Sequence, residues 1–251
     1  ENGKNQYSFY NRELSLKAEY HFQVEHYLKE AIDKKQLTLA YQPQINMATG
    51  NIIGIEALSR WHHPELGHVS PVDFIATAER IGMIKPLTEW VLMTACSQLT
   101  KWKAQGFHDL TMAVNISPNH FLDKGLVPLI KRTFEKTGIA PKDLTLEVTE
   151  SVAQTDKRNL SVFKELKGLG LQLAIDDFGT GYSSFSSLKH LDVDCLKIDK
   201  YFIDDMIEDE KTHILINSII RMGAELGYQI TAEGVETVEQ FTLLQKLGCM
   251  N

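Results

Sequence analysis

Seven short apolar runs, spaced along the chain by a tight turn or by helix-length stretches, set the fold that this sequence can adopt. They are LTLAYQP (37–43), IIGIEAL (52–58), LTMAVNIS (110–117), LTLEVTES (144–151), LQLAIDD (171–177), DCLKID (194–199) and YQITAEG (228–234). Runs that are continuously apolar suit strands buried on both faces, and alternation of strand with helix points to a parallel sheet covered by helices. The turn between the first two runs, which contains Gly50, is too short for a parallel crossover, so those two pair antiparallel as a hairpin. No early Gly-x-Gly-x-x-Gly turn marks a dinucleotide-binding open sheet. The expected helices cover 13–35 (Leu16, Tyr20, Phe22, Val24, Tyr27, Leu28) and 88–106 (Trp90, Val91, Met93, Leu99, Trp102, stopped by Gly106). Two more cover 208–227, with a buried set Ile214, Ile216, Ile219 and Ile220, and 237–247, stopped by Gly248. The sequence stops at Met250-Asn251, where an eighth strand would begin. The expectation is an α/β chain: a TIM-like (β/α)8 barrel with an antiparallel first strand and its last strand missing.

Composition narrows the class. At 251 residues, 43% hydrophobic and 24% charged, the chain is neither disordered, collagenous nor a disulfide scaffold. Acidic residues number 33 against 26 basic, net −7, which argues against DNA or RNA as a partner. An acidic protein still binds a phosphorylated ligand when metal ions supply the positive charge. Cys96, Cys195 and Cys249 are odd in number and form no Cys-x-x-Cys pair, which reads as reduced, cytoplasmic usage. No apolar run approaches the ~18 residues of a membrane helix. The opening Glu1-Asn2-Gly3-Lys4, without Met or a leader, reads as a soluble piece of a longer protein. Membrane anchoring of that parent stays open.

Polar residues at the ends of the runs carry the chemistry: Glu56, Asn115, Glu147 with Glu150, Asp176 with Asp177, Lys197 with Asp199, and Glu233 with Glu236. In a parallel barrel all strand ends open on one face, where active sites are built. Any one acid taken alone reads as a helix N-cap or first-turn charge, Asp176-Asp177 as a turn, and Lys197 as a side chain snorkelling from a sheet edge. Six coincidences at successive strand ends are another matter. Five carboxylates (Glu56, Glu147, Asp176, Asp177, Glu233) on one mouth repel unless cations sit among them. Oxygen-rich, histidine-poor ligation suits Mg²⁺ or Mn²⁺ over zinc, and the adjacent His62-His63 read as surface histidines. Two such cations ~3.5–4 Å apart clamp a phosphoryl group and acidify water between them, and a lysine offsets the charge that builds on phosphorus. Spacing leads to a metal-dependent phosphoester hydrolase and no further; Mg²⁺-assisted enolate chemistry on another substrate stays open.

Glu56-Ala57-Leu58-Ser59-Arg60-Trp61 resembles the signature of the EAL-domain cyclic di-GMP phosphodiesterases, and YQP (41–43), VNISP (114–118), LEVTES (146–151), DDFGTGYSS (176–184), LKIDK (196–200) and AEGVE (232–236) follow in the family's order. The resemblance covers the chain from about residue 20. It implies hydrolysis of cyclic di-GMP to linear pGpG, a step in bacterial second-messenger signalling, with two Mg²⁺ or Mn²⁺ ions per site. By that likeness Glu56, Asn115, Glu147 and Asp176 hold one ion, and Asp176, Asp177 and Glu233 the other. Lys197 positions the attacking water with support from Asp199. Gln42, Leu58 and Arg60 contact substrate, Arg60 at a phosphate oxygen, and Glu236 meets a guanine edge. Glu150 anchors the family's mobile loop, FGTGYSS (178–184), which links metal placement to a homodimer formed through this domain.

GKNQYSFYN (3–11) resembles the tail of a GGDEF diguanylate cyclase domain. Residues 1–12 are therefore expected to be that tail or a linker, and 13–251 an EAL domain within a tandem GGDEF–EAL parent with sensor domains. One departure stands out: the family's Gln-Gly-Tyr segment, with a further active-site Gln and the eighth strand, does not appear before Asn251. Some EAL domains lose metal ligands and serve as cyclic di-GMP receptors or interaction modules. Here every expected ligand in the sequence is intact, which favours the enzyme.

Overall fold

A computed structural model of the chain describes residues 12–34, 36–153, 157–179 and 191–251. The expected tail, 1–12, lies outside these except for Arg12, and so do residues 180–184 of the glycine-rich loop. Two compact units are distinguished, Glu1–Thr38 with Ser59–Leu87, and Leu39–Leu58 with Thr88–Asn251.

In the smaller unit helix α1 (Arg12–Asp33) packs against α2 (Pro71–Arg80), joined by Tyr20 Oη donating to Asp73 at 3.3 Å and by an Arg80–Glu25 ion pair at 2.6 Å. The run expected to end at 58 continues as strand β2 (Ile52–His63) and folds back on β3 (Gly67–Val69), with Trp61 opposite Val69. Both of those side chains are fully buried, which is why the strand persists past Leu58. Glu56 is therefore mid-strand, not at a strand end. His63 is also not a surface residue: it is buried, and its ring stacks on Tyr27 at 4.1 Å, whereas His62 is exposed.

The larger unit holds the sheet, in the order β1-β2-β4-β5-β6-β7-β8, where β1 is Leu37–Ile45, β4 Thr111–Asn115, β5 Leu144–Thr149, β6 Gln172–Phe178, β7 Cys195–Ile198 and β8 Gln229–Ala232. All pairs from β2 onward along this path are parallel, and β1 joins β2 through a tight turn, antiparallel. Each of the seven apolar runs became one of these strands. Around them lie α3 (Ile84–Ala104), α4 (Pro118–Phe121), α5 (Leu126–Thr137), α6 (Lys157–Gly168), α7 (Lys200–Asp205), α8 (Glu210–Glu225) and α9 (Val238–Leu247). Helix α9 starts with a Thr237/Gln240 capping box and stops at left-handed Gly248. On α8, Ile216, Ile219 and Ile220 are buried as expected but Ile214 is 59% exposed. It stands two residues from Ile216, some 200° around the helix, and cannot share its face.

The sheet curls, since one short segment reaches both of its ends. Met250 O accepts from Met47 N at 2.8 Å beside β1, and Asn251 O accepts from Ala232 N at 3.0 Å on β8. That is the place expected for a closing strand. Among the described residues no helix is long and apolar enough to cross a membrane.

Candidate active site

The parallel register fixes which side chains meet. Asn115 on β4 lies opposite Glu147 on β5, and Thr149 opposite Asp176 on β6. Neighbouring strand residues face opposite ways, so hydrophobic Leu146 and Val148 enter one layer while Glu147 enters the other. Lys197, between Leu196 and Ile198 on β7, also points inward. It is 2% exposed and does not snorkel from an edge.

Lys197 Nζ lies 2.5 Å from Glu233, 2.7 Å from Glu147, 3.1 Å from Asp176 and 3.2 Å from Glu56. Asn115 Nδ2 donates to the other oxygen of Glu56 at 2.7 Å. One ammonium cannot neutralise so many carboxylates, and their proton affinities show it. Burial pushes Glu147 well above the usual carboxylate range, against the opposing pull of Lys197. Burial likewise lifts Glu233 to about 7, and burial with the Asp176 charge lifts Asp177 to about 6. The carboxylates hold Lys197 above its ordinary value despite its burial.

Asp177 has φ 55°, and the β6–β7 register shifts between Ile175 and Phe178. This bulge re-aims a side chain that a regular strand would send to the other face. As a result Asp176, Asp177 and Glu233 each place one oxygen within 4.8 Å of the others. An all-oxygen set with surplus negative charge fits a hard divalent cation. The cluster can hold metal.

Asp199 caps α7, accepting from Tyr201 N at 2.7 Å, and its carboxylate adds to the upward push on the Asp177 proton affinity. Glu150, buried in the short turn after β5, accepts from Gly179 N at 2.9 Å. Gly179 has φ 101°, and a Cβ there would lie 2.8 Å from Phe202 Cε2, so only glycine fits.

A cavity of about 490 Å³ opens beside the cluster, lined among others by Gln42, Leu58, Glu56, Asp176, Lys197 and Glu233. Lys200 and Phe241 line it too, and the sequence reading missed both. Lys200 had one signal, its place in LKIDK next to Asp199; Phe241 looked like any apolar residue of an amphipathic helix. Glu236 is exposed and ion-paired with Lys200 at 2.5 Å. Arg60 belongs to the smaller unit, where its Nη1 donates to the Ser59 carbonyl at 3.0 Å.

The family described as EAL domain matches residues 25–250. The bifunctional diguanylate cyclase/cyclic di-GMP phosphodiesterase MucR of Pseudomonas aeruginosa is 40% identical over 248 residues, 98% of this chain and 36% of that protein. The cyclic di-GMP phosphodiesterase PA2567 of the same organism is 38% identical over 224 residues, 88% of this chain and 38% of its own length. This chain thus spans little more than a third of either relative. The solved structure of the MucR phosphodiesterase of Pseudomonas aeruginosa in complex with c-di-GMP matches with a TM-score of 0.87 at 41% identity, over 91% of this chain and 93% of that one.

Proposed function

The chain belongs to the EAL domain family, and on that premise we propose that it is a metal-dependent phosphodiesterase that hydrolyses cyclic di-GMP to linear pGpG. The observation that carries this reading is the buried cluster of Lys197 with Glu56, Glu147, Asp176 and Glu233, set against a cavity of about 490 Å³. The phosphodiesterase names of its relatives support it.

Two ions, Mg²⁺ or Mn²⁺, would be held by Glu56, Asn115, Glu147 and Asp176 on one side and by Asp176, Asp177 and Glu233 on the other. Bound there, such cations polarise a phosphoryl oxygen and bring the pKa of water toward neutrality. The chain's own side chains do the rest. Lys197, kept protonated by its carboxylates, donates toward the attacking water and to charge that develops on phosphorus. Asp199, the N-cap of α7, supports Lys197 in that role. Gln42 and Leu58 form cavity wall against the nucleotide, Arg60 takes a phosphate oxygen, and the Glu236 carboxylate accepts from a guanine edge. Glu150 anchors Gly179, the residue that follows β6.

In this reading the domain acts as a homodimer in the cytoplasm, with diguanylate cyclase and sensor domains upstream in the parent. A receptor without turnover is the second reading; the complete ligand set speaks for the enzyme, because unsupported carboxylate clusters are costly to bury. The test is incubation with cyclic di-GMP and Mg²⁺ or Mn²⁺, with an EDTA control, and chromatography of the nucleotides. Metal-dependent pGpG is expected, abolished by Glu56→Ala or Asp176→Ala. Wild-type turnover in either variant would sink the ligand assignment, and binding without turnover would establish the receptor.

A further inference from the structure

Lys200 has no part in the mechanism above, yet it touches the segment that delivers Glu233 at two points. Its ammonium pairs with Glu236 at 2.5 Å, and its stem lies directly on the backbone of Gly234. Gly234 has φ 68°, and a Cβ there would collide with Lys200 Cγ and lie 2.8 Å from Lys200 Cβ. The rest of the segment is held by its backbone: Glu233 N donates to Ile198 O at 3.0 Å and Glu236 N to Gln240 Oε1 at 2.8 Å. Residues 234–236 have left strand β8 and are not yet in α9, so beyond the ladder bond at Glu233 N no strand or helix bond fixes them. Glu233 heads this segment, and its carboxylate must meet Asp176 and Asp177.

We propose that Lys200 is a positioning residue that clamps residues 233–236 from the start of α7 and thereby sets the Glu233 carboxylate for divalent-cation binding. The Lys200 and Glu236 side chains are 45% and 69% exposed, and an exposed pair adds little to global stability. Its effect is local. Removing the charge frees the segment to sample poses in which Glu233 no longer converges with the aspartates. The inference rests on the metal-dependent reading of the site but needs no substrate to test it.

Mn²⁺ affinity of the whole chain is measured by calorimetry without nucleotide, for the wild type and for Lys200→Met, Glu236→Gln, their double variant and Asp204→Asn. Lys200→Met keeps most of the stem and loses the charge. Its Mn²⁺ affinity should fall about fivefold, near the most that an exposed pair can contribute. Glu236→Gln should do the same, and the double variant no worse than either. Asp204→Asn removes only the partner at 3.2 Å within α7, and should leave Mn²⁺ binding at the wild-type level. In turnover assays Lys200→Met should raise the Mn²⁺ concentration for half-activation. Unchanged Mn²⁺ affinity in Lys200→Met, or a rise confined to the nucleotide KM, overturns the inference and leaves the proposed function standing. A wild type that binds Mn²⁺ but hydrolyses no cyclic dinucleotide overturns the function and leaves the clamp to be judged on affinity alone. A wild type that binds no Mn²⁺ overturns both.

Discussion

With 2% of its surface exposed, Lys197 faces four carboxylates at 2.5 to 3.2 Å, and its removal exposes how the cluster is balanced. Lys197→Met should lower kcat at least about a hundredfold, the usual weight of a positioned proton donor. Nucleotide KM should change far less, and steady-state kinetics separates the two; a loss confined to KM would reassign the lysine to substrate binding. The acids make a second prediction. Asp177 rises from an ordinary 3.8 to about 6 and Glu233 from 4.5 to about 7. Between about pH 4 and 7 the folded protein then binds more protons than the unfolded chain, so stability falls as pH rises through that window. The unfolding midpoint of the metal-free protein should drop between about pH 4 and 7 in scanning calorimetry, and saturating Mg²⁺ should flatten the slope. A metal-free midpoint that climbed instead would mean that these carboxylates are not raised. Residue types here were legible early, because strand-end carboxylates and one lysine stand out in apolar runs. The inward direction of Lys197 was not, since an apolar run buried on both faces does not say which face holds the cluster.

Elements were legible where a long apolar or amphipathic stretch announced them, which covers every strand of the main sheet path and the helices ending at Gly106, Gly227 and Gly248. Strand β3 was not: its three residues, Gly-His-Val, are too few to show a pattern, and it forms because Trp61 needs a partner. The bulge at Asp177 was hidden as well, because Asp-Asp suits a turn as readily as a strand. Asp194 shows how elements lock together. It takes Lys167 Nζ from the end of α6 at 2.6 and 2.8 Å and the Leu173 N–H of β6 at 2.7 Å, just before β7 begins. Leu173 is fully buried, so its donor has no water to turn to. Asp194→Ala should therefore cost about 1–3 kcal/mol. Urea denaturation is the measurement, and a loss below a few tenths of a kcal/mol would show that the contact is decorative.

At the scale of the whole chain, its last two residues join the two ends of the sheet path through Met47 and Ala232. Deleting Met250–Asn251 removes those two backbone bonds, about 2 kcal/mol together, and should lower the melting midpoint by about 4–8 °C. An unchanged midpoint would mean that the sheet does not depend on them. The seven strands were readable because the apolar runs needed no partner to be seen, whereas this contact spans some two hundred residues of sequence and had no local signal. The bulge at Asp177 has a consequence of a different kind. A strand ordinarily has parity: odd positions serve one side and even positions the other, so a single strand gives a site at most every second residue. By breaking parity once, β6 lends two consecutive aspartates to the same mouth. Restoring a straight strand there would leave the composition and net charge of the chain untouched, yet would turn one of the pair to the opposite side.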